Sequence, residues 1–107
     1  MRFEILLAPQ AQEDFRALPA RKRAEVREAL ETHLRHEPAK ASKSRIKRLR
    51  GLKQPQYRLR VGEIRVFYDV TEQSVEVLAI ISKARAEAWL ADQGTPGPVG
   101  GAGEGEG

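Results

Sequence analysis

The chain has 107 residues, nineteen Lys and Arg against fifteen Asp and Glu, a net charge of +4 and no cysteine. That length makes one domain with one modest core, and the missing thiols exclude disulfides and thiolate metal sites, which suits a reducing compartment. No apolar run approaches the roughly 18 residues of a membrane span and the N-terminus lacks a signal-peptide pattern, so a soluble intracellular protein is expected.

Arg2 to Leu7 is short and apolar, with Phe3, Ile5 and Leu7 on one side, and reads as a first strand. Pro9 opens a helical pattern through Ala11, Phe15 and Leu18, and Pro19 restarts it at a first-turn position, where a missing N–H costs little. The second helix is expected from about Pro19 to His36. Val26, Ala29, Leu30, His33 and Leu34 form its apolar stripe, and Arg21, Lys22, Arg27, Glu28, Glu31 and Arg35 face water. Pro38 marks its end. Residues 39–55 are polar and basic, with isolated apolar anchors at Ile46, Leu49 and Leu52 and a turn glycine at Gly51.

Three strands follow. Tyr57, Leu59 and Val61 alternate with Arg58 and Arg60; a tight turn at Gly62-Glu63 leads to Ile64, Val66, Tyr68 and Val70, which alternate with Arg65, Phe67 and Asp69. After a turn at Thr71 to Gln73, Val75, Val77, Ala79 and Ile81 lie in a stretch whose two faces are both largely apolar, the pattern of a strand covered on both sides. Lys83 to Ala91 is rich in helix formers and closes the fold. The expected class is α+β over residues 1–92: an N-terminal strand, a helical hairpin, a three-stranded antiparallel meander and a short C-terminal helix. From Gln93 onward seven of the nine glycines and two of the six prolines occur, so residues 93–107 read as a flexible tail.

The positive charge is concentrated. Between Lys40 and Arg65 stand ten basic residues (Lys40, Lys43, Arg45, Lys47, Arg48, Arg50, Lys53, Arg58, Arg60 and Arg65) against one acid, Glu63. A field of that sign attracts polyanions, nucleic acid foremost. Arg58 and Arg60 share one face of a strand at a separation of about 6.6–6.8 Å, near the repeat of successive phosphates, and the hairpin brings Arg65 alongside Arg60. Guanidinium suits bidentate phosphate contact. The blander reading is a solvated face partly neutralised by Asp69 and Glu76. Lys83 and Arg85, where strand gives way to helix, can close such a site from the side or can be ordinary surface cations. Trp89 either packs the last helix onto the sheet or offers a stacking surface for a base. His33 and His36 stand three apart on a helix, but no cysteine or carboxylate partner supports a metal site. No phosphate-loop, Ser/His/Asp or paired-carboxylate signature is present.

Lys47 to Leu52 (KRLRGL) and above all YRLRVGEIRVFYDV, together with the order of elements, resemble the RelE/ParE toxin superfamily of type II toxin–antitoxin modules; the resemblance covers residues 2 to about 90. It implies a compact cytoplasmic toxin held in a hetero-oligomer by a cognate antitoxin, with no cofactor and no membrane. RelE-like members cut mRNA in the ribosomal A site, using the 2′-hydroxyl of the RNA as nucleophile, and this is the favoured expectation; ParE-like members inhibit DNA gyrase, and a degenerate binding module without toxicity is the remaining alternative. On the RelE-like pattern, Arg58, Arg60, Arg65 and Lys83 or Arg85 carry catalysis, while Lys43, Arg45, Lys47, Arg48, Arg50, Lys53 and Trp89 bind RNA. Trp89 falls where the family carries a C-terminal tyrosine. Tryptophan transfers no proton and arginine is a poor base, so the arginines are expected to act by stabilising charge on the phosphate.

Overall fold

A computed structural model describes residues 2–97. It is an α+β fold: β1 (Glu4–Leu7), α1 (Pro9–Ala17), α2 (Ala20–Leu34), β2 (Ile46–Arg48), β3 (Leu52–Gln54), β4 (Tyr57–Val61), β5 (Ile64–Val70), β6 (Ser74–Ser82), α3 (Lys83–Gln93) and β7 (Thr95–Pro96). Pro9 occupies the first turn of α1, and Pro19 is the cap from which α2 starts, so the two prolines fix the ends of a helical hairpin.

The main sheet has the order β1-β6-β5-β4-β2. The meander β4-β5-β6 is antiparallel, as the alternation predicts, and β6 is flanked on both sides because β1 pairs with it in parallel. The β4–β5 hairpin pairs Val61 with Ile64, leaving Gly62 and Glu63 as a two-residue loop. Gly62 sits at φ 59°, and no residue other than glycine takes positive φ among the described residues. Positive φ at the first loop position alone is the type II′ pattern, whose twist matches the flanking strands.

One face of the sheet meets the helical hairpin. Val26, Leu30 and Leu34, one α-turn apart, are buried against Leu59, Ile64, Val66, Tyr68, Val75, Val77 and Ile80. Tyr68 is fully buried, stacks on Tyr57 and donates its hydroxyl to the Pro38 carbonyl at 2.7 Å. Burial pushes the pKa of that phenol up, with the Tyr57 charge a smaller cause, so it stays protonated at neutral pH. Tyr68→Phe strands a buried carbonyl, and urea denaturation is expected to show a loss of about 1–3 kcal/mol with an unchanged m-value.

Two details depart from the sequence reading. The stretch 39–55, read as polar and basic with isolated apolar anchors, contains β2, which extends the sheet beyond β4, and β3, which pairs with β7. The alternation Val75, Val77, Ala79, Ile81 does not stay on one face. A register shift opposite Phe67/Tyr68 places Val75, Val77 and Ile80 in the helical-hairpin core, and Ala79 and Ile81 in a second core with Phe67 on the other side. Such a bulge inserts one residue and exchanges the faces beyond it. Just past the end of β1, the Ile80 N–H turns to the Asp14 carboxylate of α1 at 2.9 Å.

The second core lies beneath α3, where Ala86, Trp89 and Leu90 cover Phe67. The chain then doubles back. Gly94 ends α3, Thr95 and Pro96 pair with β3, and the Gly97 N–H reaches the Gly51 carbonyl at 3.1 Å. The first residues of the expected tail thus tie α3 to β3; residues 98–107 lie outside the described residues. Among the described residues no helix is long and apolar enough to cross a membrane.

Candidate functional site

The hairpin register decides which side chains share the face under α3. Arg60 is opposite Arg65, Arg58 is opposite Phe67, and Lys47 of β2 is opposite Arg58. Side chains directly opposite one another on adjacent strands project to the same face. That face holds Lys47, Arg58, Arg60, Arg65 and Phe67, and α3 stands along one side of it. Between strands and helix lies an open cleft of about 380 Å³, lined by Lys47, Leu49, Arg58, Arg65, Phe67, Lys83, Ala86, Glu87 and Leu90.

Arg65 is nearly buried, at 9 % exposure, and its Nη1 donates to the carbonyls of Gly62 and Ile64 at 2.9 and 3.1 Å. The turn thus locks the side chain in place without neutralising it. Arg58 is half-buried and its Nε is buried with no hydrogen-bond partner among the described residues. Burial first, then the charges of Arg65 and Arg60, hold its proton affinity below that of an ordinary guanidinium. A cation in that position is stabilised by an anion brought from outside.

The carboxylates proposed as neutralisers do not fill that role. Asp69 accepts from the Gln56 N–H at 2.8 Å and from Gln54 Nε2 at 2.6 Å, so it shapes the entry into β4. Glu76 is its cross-strand neighbour at the far end of the sheet. The ion pairs found among the described residues are Lys22–Glu25, Glu31–Arg35 and Lys40–Glu37, all away from the cleft.

Of the other sequence candidates, Lys47 and Lys83 line the cleft, and Arg60 is exposed beside it. Lys83 begins α3, with its backbone N–H on the Glu63 carbonyl at 2.7 Å. Arg85 is two residues further, about 200° around the helix, and is not part of the lining. Arg48 follows Lys47 on a strand and so points to the opposite face, its guanidinium 5.0 Å from the Tyr57 ring centroid. Lys43, Arg50 and Lys53 are exposed and outside the lining. Trp89 stacks on Phe67, with ring centroids 5.1 Å apart, and its indole N–H reaches Gln10 of α1 at 3.3 Å. One ring face is therefore occupied in holding α3 to the sheet. Phe67 and Glu87 were missed as site residues; the four-residue spacing of Glu87 from Lys83 on a helix was the available signal.

Arg45 lies on the other side, bordering a hollow of about 240 Å³ with His33, His36 and Lys40. Burial, and then the Arg45 charge, lower the His33 proton affinity from its ordinary value of 6.5. Above that value the imidazole is neutral in both folded and unfolded chains; below it the unfolded chain takes the proton first, so stability falls with acidification. Thermal melts at pH 7.5 and 5.5 are expected to show a larger drop for the wild type than for His33→Gln. Among the described residues no group of three or more His, Cys, Asp and Glu could hold a metal ion.

The family described as ParE toxin of type II toxin-antitoxin system, parDE, matches residues 5–87. The chain therefore belongs to the ParE toxin family, within the RelE/ParE superfamily. Its fold is similar to that of the archaeal RelE–RelB complex from Pyrococcus horikoshii OT3, at 24% identity and TM-score 0.65, covering 79% of this chain and 99% of that one. It is also similar to the toxin–antitoxin complex RelBE2 from Mycobacterium tuberculosis, at 24% identity and TM-score 0.62, over 77% of this chain and 99% of that one. The YoeB–YefM complex from Staphylococcus aureus follows at 21% identity and TM-score 0.57, over 76% and 97%. No curated protein sequence matches the chain.

Proposed function

We propose that this toxin is a ribosome-dependent mRNA endonuclease, which acts in the cytoplasm and is neutralised by a cognate antitoxin in a hetero-oligomer. The observation that carries the reading is the unneutralised cluster of Arg58 and Arg65 in an open cleft with Lys47 and Lys83. Cleavage by the 2′-hydroxyl builds negative charge on a pentacoordinate phosphorus, and fixed cations in a partly desolvated cleft stabilise that charge more than they stabilise the ground state. In this reading Arg58 and Arg65 hold the reacting phosphate, Arg60 and Lys47 its neighbours, and Lys83 faces the leaving oxygen. Arg45, Arg48, Lys43, Arg50, Lys53 and Arg85 supply long-range attraction for RNA, and Trp89 keeps α3 in place as a wall of the cleft. No cofactor enters.

The family match supports a second reading, a ParE-like toxin that inhibits DNA gyrase without cutting RNA. Primer extension on a translated message separates the two. Cuts within the A-site codon on expression support the nuclease; growth arrest with intact message and accumulated gyrase–DNA breaks supports the gyrase poison.

A further inference from the structure

The cleft holds four cations and a single carboxylate, Glu87. We infer that Glu87 takes the proton from the attacking 2′-hydroxyl, a role that rests on the nuclease reading above. Lys83 and Glu87 are four residues apart on α3 and so lie about 40° apart around the helix, on one face, and both line the same cleft as Arg58 and Arg65. Glu87 is exposed at the mouth of the cleft, so it is reachable both by water and by a ligand bound there. Glu87 forms no ion pair within 4.0 Å with the cations that surround it and no hydrogen bond among the described residues, so both carboxylate oxygens are open to a ligand.

The alternatives within the cleft are chemically unsuited. Guanidinium groups stay protonated throughout the physiological pH range, and Leu49, Phe67, Ala86 and Leu90 carry no proton acceptor on their side chains. The two histidines border the hollow on the opposite side of the sheet. A lysine ammonium is a donor, which suits Lys83 to the other end of the reaction. The 2′-O–H proton passes to Glu87, and the 2′-oxygen bonds to phosphorus, giving a 2′,3′-cyclic phosphate. The P–O5′ bond breaks with its electron pair on oxygen, and that oxygen takes a proton from Lys83. Proton uptake by Glu87 and release by Lys83 balance, and exchange with water restores both.

The test is single-turnover cleavage by the full chain on ribosomes stalled with a defined message in the A site, with affinity for the same ribosomes measured in parallel. For Glu87→Gln the cleavage rate should fall by about 10²–10⁴-fold, the usual contribution of a general base. Its affinity should hold or tighten, because a charge that repels RNA has been removed. Glu87→Asp should retain more activity than Glu87→Gln. A Glu87→Gln enzyme that cuts at the wild-type rate, or one that loses affinity as much as rate, overturns the assignment while the nuclease reading stands. A wild-type protein that leaves the message intact and accumulates gyrase–DNA breaks overturns both.

Discussion

Arg58→Met is expected to lower single-turnover cleavage of a translated message by about 10²–10³-fold, the scale of losing one preorganised electrostatic contact to a developing oxyanion. The same variant should melt at a higher temperature than the wild type. Both effects have one origin. The Arg58 guanidinium is half-buried, its Nε has no partner, and Arg65 and Arg60 push against it. Because burial and repulsion lower its proton affinity in the fold, the charged form is worth less folded than unfolded, and an apolar side chain of similar length relieves that cost. Single-turnover assays and thermal melts on the same preparation check the pair of outcomes. A variant that is both inactive and less stable would show that Arg58 holds the sheet together rather than holding a phosphate. Activity traded against stability in this way is the pattern of a site preorganised for an absent anion.

Leu59→Ala is expected to give the largest loss of stability. Leu59 is fully buried at the centre of β4, facing Val26, Leu30 and Leu34 of α2, with Arg58 and Arg60 on either side of it in sequence. Truncating a buried leucine costs about 2–5 kcal/mol through lost transfer energy and the cavity left behind. In a domain of this size that corresponds to a fall in melting temperature of more than about 8 °C. Chemical denaturation should show a lower midpoint with the slope unchanged. Cleavage should be lost at 37 °C and return in part on cooling, since the variant keeps every cleft-lining residue. That temperature dependence separates it from Arg58→Met, whose defect persists at any temperature at which the protein is folded.

The parts of the fold that could be read from sequence were those where patterning and turn chemistry agree. Tyr57 to Val70 alternates without interruption around Gly62-Glu63, so the hairpin, its register and the pairing of Arg60 with Arg65 all follow. β2 and β3 could not be read, because three-residue strands made of Ile-Lys-Arg and Leu-Lys-Gln carry little strand preference; the sheet and β7 hold them. That omission matters for the site. Once Ile46–Arg48 is a strand, Lys47 and Arg48 must part to opposite faces, and a basic run that looked like one patch divides. The bulge in β6 was hidden because its residues are apolar on both faces, so a change of face leaves no trace in the pattern. Glu87 was lost among the charges of a short helix, since what distinguishes it is the cleft and not its spacing alone.

The parallel pairing of β1 with β6, and the use of α3 as one wall of the cleft, have a consequence for synthesis. The first strand made must wait for almost the last one before its edge is satisfied, and Lys83, Ala86, Glu87 and Leu90 are made after every other lining residue. A nascent toxin therefore has Arg58 and Arg65 but no opposing wall. On the nuclease reading proposed above, the cleft is complete only after residues 83–90 have been made and have docked on the sheet.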